Sequence, residues 1–271
     1  MKSLNLLSVP LLTIAAAVSL AYSSPAQADA IGTLQSWQAP AAQANRVLTL
    51  HTDQGHQLRI SLIQDGIFRV EAAWKGDWSS VKPQSTPIVL PQTATAETVN
   101  LRDQGEYLLW ESARFALRIY KKPLKLALYQ AGNQQRIWEE LQPLDLGEKQ
   151  SYQTLSSKAG EAFWGGGQQN GQFAFQGKQL DISYSGGWEE GDRPNPAPVF
   201  ISSQGYAVLR NTFAPGVYDF RQQNYLTASH QERGFDAYYM VGGLHDALRQ
   251  YTALTGRVPL LPRWALEYGD A

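Results

Sequence analysis

The chain has 271 residues, with 23 Lys plus Arg against 24 Asp plus Glu, a formal net charge of -1, no cysteine and 8 tryptophans. A near-neutral chain without a basic block lacks the clustered cations that hold a phosphate backbone, which argues against a nucleic-acid role. The absence of cysteine removes disulfide frameworks, thiolate metal sites, cysteine nucleophiles and lipidated cysteines.

The predicted elements start with a secretory signal peptide over residues 1–28. Lys2 precedes the apolar run from Leu11 to Leu20, and the stretch closes on Pro25, Ala26, Gln27 and Ala28. The run is too short for a membrane span and is interrupted by Pro10, while Ala26 and Ala28 supply the small side chains of a cleavage site. The spacing predicts cleavage after Ala28 and a mature chain from Asp29. Export without cysteine suits a bacterial periplasm or exterior, where a large core must replace crosslinks; roughly 240 residues can build one.

From Val47 apolar residues alternate with polar ones: Leu48 and Leu50, then Leu58, Ile60 and Leu62, then Ile67, Phe68 and Val70 after an Asp65-Gly66 turn. Such alternation buries one face of a strand, and the Asp-Gly punctuation supplies the positive φ of tight hairpins. The pattern recurs at Phe115, Leu117 and Ile119, at Leu124, Leu126 and Leu128 before Gly132-Asn133, at Leu180, Ile182 and Tyr184, and at Tyr206, Val208 and Leu209. One helix is predicted, with Leu244, Leu248, Tyr251 and Leu254 on its apolar face and Gly256 ending it. The fold class is therefore mainly β, a large antiparallel two-sheet sandwich over residues 29–257 closed by a C-terminal helix. Val258-Pro259-Leu260-Leu261-Pro262 reads as an extended linker, and Trp264 to Gly269 as the opening of a new strand.

Two segments narrow the reading: Phe163-Trp164-Gly165-Gly166-Gly167-Gln168-Gln169-Asn170-Gly171, and Gly205 to Phe213. Together with Arg193-Pro194-Asn195-Pro196, the strand Phe235 to Gly242 and the run from Tyr251 to Trp264, they resemble glycoside hydrolase family 31. In that family of α-glycosidases a galactose-mutarotase-like sandwich precedes a (β/α)8 catalytic barrel. The resemblance implies that residues 258–271 are a linker and the first strand of such a barrel, with the remainder a missing partner in cis. It implies hydrolysis of terminal α-linked glycosides by a retaining mechanism in a full-length enzyme, and no cofactor or metal. The family's two catalytic aspartates lie on later barrel strands, so no catalytic residue transfers to this chain.

The carboxylates present agree with that. A retaining pair stands about 5–5.5 Å apart with one member protonated. Glu139 and Glu140 are adjacent and point to opposite faces of a strand, which reads as solvated surface. Glu189, Glu190 and Asp192 share a polar loop with nothing to desolvate one of them. That loop instead has the makings of a sugar contact: Trp188 offers a flat face to a pyranose, with hydrogen-bonding groups at its rim. By resemblance to enzymes in which a sandwich loop overhangs the barrel mouth, Trp188, Asp192, Arg193 and Asn195 are nominated as substrate-binding residues, and Asp270 as a sugar contact at the end of the first barrel strand. Gly165 to Gly167 read as a sharp turn after a Phe163-Trp164 strand, since no phosphate-loop Lys-Ser or Lys-Thr follows. The alternatives are a stand-alone carbohydrate-binding sandwich and an aldose epimerase using one of His51, His56, His230 or His245. None of those histidines has metal-ligand spacing.

Overall fold

The computed structural model describes residues 30–39, 46–81, 87–92, 97–262 and 265. The predicted signal peptide, Trp264 and Asp270 lie outside the described residues.

The chain opens with β1 (Leu34–Gln38), β2 (Val47–Thr52), β3 (Gln57–Gln64) and β4 (Ile67–Ala73). A meander follows through β5 (Asn100–Asp103), β6 (Tyr107–Glu111), β7 (Phe115–Lys121), β8 (Leu124–Gln130) and β9 (Arg136–Glu139). Next come β10 (Asp145–Leu146), β11 (Ser151–Ser156), β12 (Phe163–Gln168), β13 (Gln179–Ile182) and β14 (Asn195–Ser202). Last are β15 (Tyr206–Arg210), β16 (Gly216–Asp219), β17 (Tyr225–His230), β18 (Phe235–Val241) and the helix α1 (Leu244–Thr255).

One layer is an eight-stranded antiparallel sheet in the order β1-β2-β3-β4-β18-β15-β14-β12. The opposing layer is divided into two five-stranded sheets, β5-β6-β7-β8-β9 and β10-β11-β17-β16-β13. The sandwich expected from the alternation is present, with this division as an addition. It arises where the chain leaves β8 at the end of β9 and crosses to β11: Glu140 bridges Leu155, and Leu141 N donates to Thr154 O at 3.0 Å.

The alternating residues named from the sequence fill the interlayer core. Leu48, Leu50, Ile60, Phe68 and Phe115 are fully or almost fully buried. Phe68 of β4 stacks on Tyr239 of β18 at 4.9 Å and meets Trp110 of β6 edge-on across the gap. Farther along, Phe200 of β14 packs edge-on to Tyr218 of β16 at 5.4 Å. The turns behave as the dipeptides require, with Gly66 at φ 75° and Gly132-Asn133 at 82° and 60°.

Three local expectations are corrected. Helix α1 docks on the outer face of the eight-stranded sheet through Ala247, Gln250 and Leu254, while Leu244 and Leu248 are 46% and 47% exposed. The buried stripe is therefore rotated from the one read from leucine spacing, because Gln250 turns inward to cap the Val241 carbonyl at 3.2 Å. Tyr184 does not continue the Leu180–Ile182 face: β13 stops at Ile182 and Tyr184 is 74% exposed. Glu139 is half-buried against Arg136, but Glu140 is wholly buried and not solvated surface. Its carboxyl group accepts from the Leu126 N–H, which has lost a strand partner where β9 departs.

Candidate functional site

Strand β12 holds the key to the loop nominated from sequence. It pairs with β14 from Phe163↔Ser202 to Gln168↔Asn195, with a bulge between Gly165 and Gly167. The three glycines lie inside this strand and not in a turn after it, all at positive φ (125°, 79° and 74°). Their lack of side chains is steric. A Cβ at Gly165 would stand 2.4 Å from Val199 O, one at Gly166 2.5 Å from the Leu180 side chain, and one at Gly167 2.2 Å from Asn195 O. The bulge thus lets β13 and β14 approach β12 closely, and the chain leaves the eight-stranded sheet after Gln168 to cross to β13 in the opposing layer and return at Asn195.

That excursion is braced from within. Asn170 N donates to Asp192 O and Gly191 N to Asn170 O, each at 3.0 Å, tying the turn after β12 to the return arm. Ser185 bridges Arg193, and the Ser185 hydroxyl accepts from Arg193 N at 2.9 Å. The Asp192 carboxylate accepts from Glu189 N at 2.9 Å. The Arg193 guanidinium donates through Nε to Ser183 O at 3.0 Å and lies 3.8 Å from the Asp181 carboxylate. Asn195 Nδ2 donates to Gln168 Oε1 at 2.9 Å across the strand pair, and Gln169 Nε2 donates to Gly166 O at 2.8 Å.

The four described nominees therefore share one loop and its base, but in different situations. Trp188 is 81% exposed at the tip. Asp192, Arg193 and Asn195 spend polar atoms on the loop itself. Two exposed aromatics that the sequence reading did not nominate stand in the same excursion, Phe173 at 82% and Tyr184 at 74%. For Tyr184 the signal was the flanking Ser183, Ser185, Gly186 and Gly187, small residues that give its ring no wall to pack against, whereas Phe173, between Gln172 and Ala174, carried none. Phe213, just past β15, is also 55% exposed.

Elsewhere the carboxylates are committed. Asp236 receives Arg69 in a two-pronged contact, Nε to Oδ1 at 2.8 Å and Nη2 to Oδ2 at 2.6 Å, and Asn211 Nδ2 adds a third bond at 2.7 Å. Glu71, across the strand from Asp236, lies 3.3 Å from the same guanidinium; burial raises its carboxyl above the usual carboxylate range. Two carboxylates clamped on one arginine within a sheet form a structural ion pair, not an acid and base facing a cleft. Glu161 is likewise closed in, accepting from the Ser202 hydroxyl and Lys158 N. Glu189 and Glu190 are solvent-exposed.

The epimerase alternative fares poorly on geometry. His230 is fully buried, and since Ala214 O can only accept, Nδ1 carries the proton and Nε2 accepts from the Tyr218 hydroxyl, both at 2.9 Å. Burial, with Arg210 nearby, pushes this imidazole down to about 3. His56 is buried and accepts from Lys75 N through Nδ1. Among the described residues no group of three His, Asp or Glu is placed to hold a metal.

The family is decided by a match across most of the sandwich. The model for the glycosyl hydrolase 31 N-terminal galactose mutarotase-like domain covers residues 57–219. The chain belongs to this family. Over 241 residues it is 23% identical to alpha-glucosidase 2 of Bacillus thermoamyloliquefaciens, a match spanning 84% of this chain and 30% of the relative. A shorter stretch of 72 residues is 32% identical to an alpha-xylosidase of Saccharolobus solfataricus, spanning 26% of this chain and 10% of that protein. Among solved structures, a family 31 dextranase of Flavobacterium johnsoniae complexed with isomaltotriose superposes at a TM-score of 0.77 with 14% identity, over 89% of this chain and 30% of that one. A family 31 alpha-xylosidase from a soil metagenome, complexed with xylose, gives 0.68 with 20% identity, over 81% and 35%. The domain thus spans about a third of the length of the alpha-glucosidase and of these solved enzymes.

Proposed function

We propose that the chain is the non-catalytic N-terminal domain of an exported α-glycosidase, and that residues 169–194 wall one side of a sugar pocket completed by a catalytic (β/α)8 barrel in cis. The full-length enzyme would hydrolyse terminal α-linked glycosides with retention, through a covalent intermediate on a carboxylate of the barrel. The observation that carries this reading is Trp188: a large flat apolar face, 81% exposed, on a loop whose polar groups are turned on one another to hold it. A ring so placed can stack on the C–H face of a pyranose, while the exposed Glu189 carboxylate and the side-chain oxygen of Asn195, whose amide nitrogen donates to Gln168, are proposed to meet hydroxyls at its rim. Asp192 and Arg193 contribute by fixing the loop. Asp270 is proposed to reach the same pocket from the end of the first barrel strand.

Two further features support a partner domain. Leu244, Leu248, Val258 and Leu260 are exposed apolar side chains around α1 and the segment after it, the surface expected where another domain packs. The named relatives include enzymes acting on α-linked sugars, and each is far longer than the match. Export rests on the signal peptide over residues 1–28 and is checked by sequencing the N-terminus of secreted protein, expected at Asp29.

The pocket reading is tested by kinetics of the enzyme carrying this chain in cis. Replacing Trp188 by Ala should raise KM for an α-linked oligosaccharide roughly tenfold, the worth of one stacking contact, with kcat within about twofold. An unchanged KM overturns it. The stand-alone carbohydrate-binding alternative is separated by titrating the isolated chain with maltose, isomaltose or melibiose, where saturable binding would favour that alternative.

A further inference from the structure

The seam between the two five-stranded sheets holds a polar chain that the sugar-pocket reading does not use. Glu140, 3% exposed, accepts from Leu126 N through Oε2 at 2.8 Å and from Gln153 Nε2 through Oε1 at 2.7 Å. Gln153 Oε1 in turn accepts from the Tyr239 hydroxyl at 3.0 Å, linking the seam to β18 in the opposite layer. The charged and titratable groups acting on the carboxyl are few: Lys125 on β8 and Tyr239 on β18, while Glu139 beside it in sequence is turned to Arg136. No cation hydrogen-bonds Glu140 among the described residues, and an unpaired carboxylate buried this deeply is costly. A second arrangement of the same groups would need no such charge. If the Gln153 amide is turned over, a protonated Glu140 donates to Gln153 Oε1 and the Gln153 NH2 donates to the Tyr239 oxygen, over the same short distances.

We propose that Glu140 is a neutral carboxylic acid in the folded seam at acidic and near-neutral pH, and that its ionisation, coupled to reversal of the Gln153 amide, makes the junction of the two sheets a proton-sensitive joint. Burial holds this carboxyl up to about 7, against an ordinary value near 4.5. A folded acid with a raised pKa binds a proton that the unfolded chain has released. The stabilisation is full below about 4.5 and is lost as pH rises through about 7. His230 contributes the opposite slope, since its depressed value means stability gained between about 3 and 6.5, and Glu71 adds to the slope of Glu140. The measurement must therefore be a difference.

Urea unfolding of the chain and of its Glu140→Gln variant from pH 5 to pH 8 supplies it. The variant keeps both hydrogen bonds of the neutral form and has no proton to lose. The ratio of the two folding constants should move on the order of 100-fold in the variant's favour across that range. A ratio constant within about threefold overturns the proposal. Should the variant not fold, the side-chain carboxyl of Glu140 in the native chain can be followed by carbon NMR. A titration midpoint near neutrality, shared by the Gln153 amide resonances, supports the joint, and a midpoint in the ordinary carboxylate range overturns it.

Discussion

The interlayer core and the loops on either side of β13, at residues 169–178 and 183–194, solve opposite problems. In the core, Phe68, Trp110, Phe115 and Tyr239 are held by neighbours from several strands, so their positions are over-determined and their surfaces hidden. In these loops Phe173, Tyr184 and Trp188 are displayed, and what is determined is the backbone beneath them, through the glycine bulge, the β13–β16 pairing and a few hydrogen bonds. Hydrophobic side chains stabilise the first region and would serve recognition in the second. Substitutions in the two regions should therefore separate stability from sugar handling.

The largest effects are expected within the sheet, first at the ion pair on the face of the eight-stranded sheet that α1 covers. Arg69→Ala leaves Asp236 with the Asn211 amide and Glu71 with Arg59 at 3.7 Å in place of a buried two-pronged partner, and should cost about 3–5 kcal/mol in urea unfolding. Phe68→Ala, which opens a cavity among three aromatic partners, should cost a similar 3–5 kcal/mol. Either variant that unfolds with the stability of the parent would contradict the packing described. An intermediate effect is expected at the hinge between the regions. Gly167→Ala places a Cβ 2.2 Å from Asn195 O at a left-handed backbone position, and should destabilise by about 1–3 kcal/mol while shifting Trp188 fluorescence. Asp192→Ala removes the acceptor for Glu189 N, costing about 1 kcal/mol and loosening the loop, read as faster amide exchange at residues 185–193. The smallest stability effect belongs to Trp188→Ala, within about 0.5 kcal/mol of the parent, although it is expected to have the largest effect on KM. A large loss of stability there would mean the ring is packed and not displayed.

What was legible in the sequence divides along the same line. Period-two alternation located the strands of β2 to β4, β7 and β8, because a one-residue slip would turn Leu48, Ile60 or Leu117 to solvent. The Phe163 to Gly171 segment identified the family, but the reason for its glycines was hidden: the atoms they must admit, Val199 O, Leu180 and Asn195 O, come from elsewhere in the chain. Glu140 was illegible for a similar reason. Two adjacent acids read as surface, and only the departure of β9 from β8 creates the orphaned Leu126 N–H that draws one of them inside. The helix face was half legible: Leu254 and Tyr251 do pack on the sheet, but Leu244 and Leu248 are exposed, since leucine spacing ignores that Gln250 has carbonyls of Val241 and Asp65 to satisfy.

The central claim is that this domain scaffolds sugar hydrolysis without supplying the reactive acids. Incubating the purified chain with chromogenic aryl α-glucoside, α-galactoside and α-xyloside measures it directly. The account predicts no release of chromophore above the buffer rate. Release that is abolished when a single carboxylate such as Glu189, Glu190 or Asp192 is replaced by its amide would contradict it.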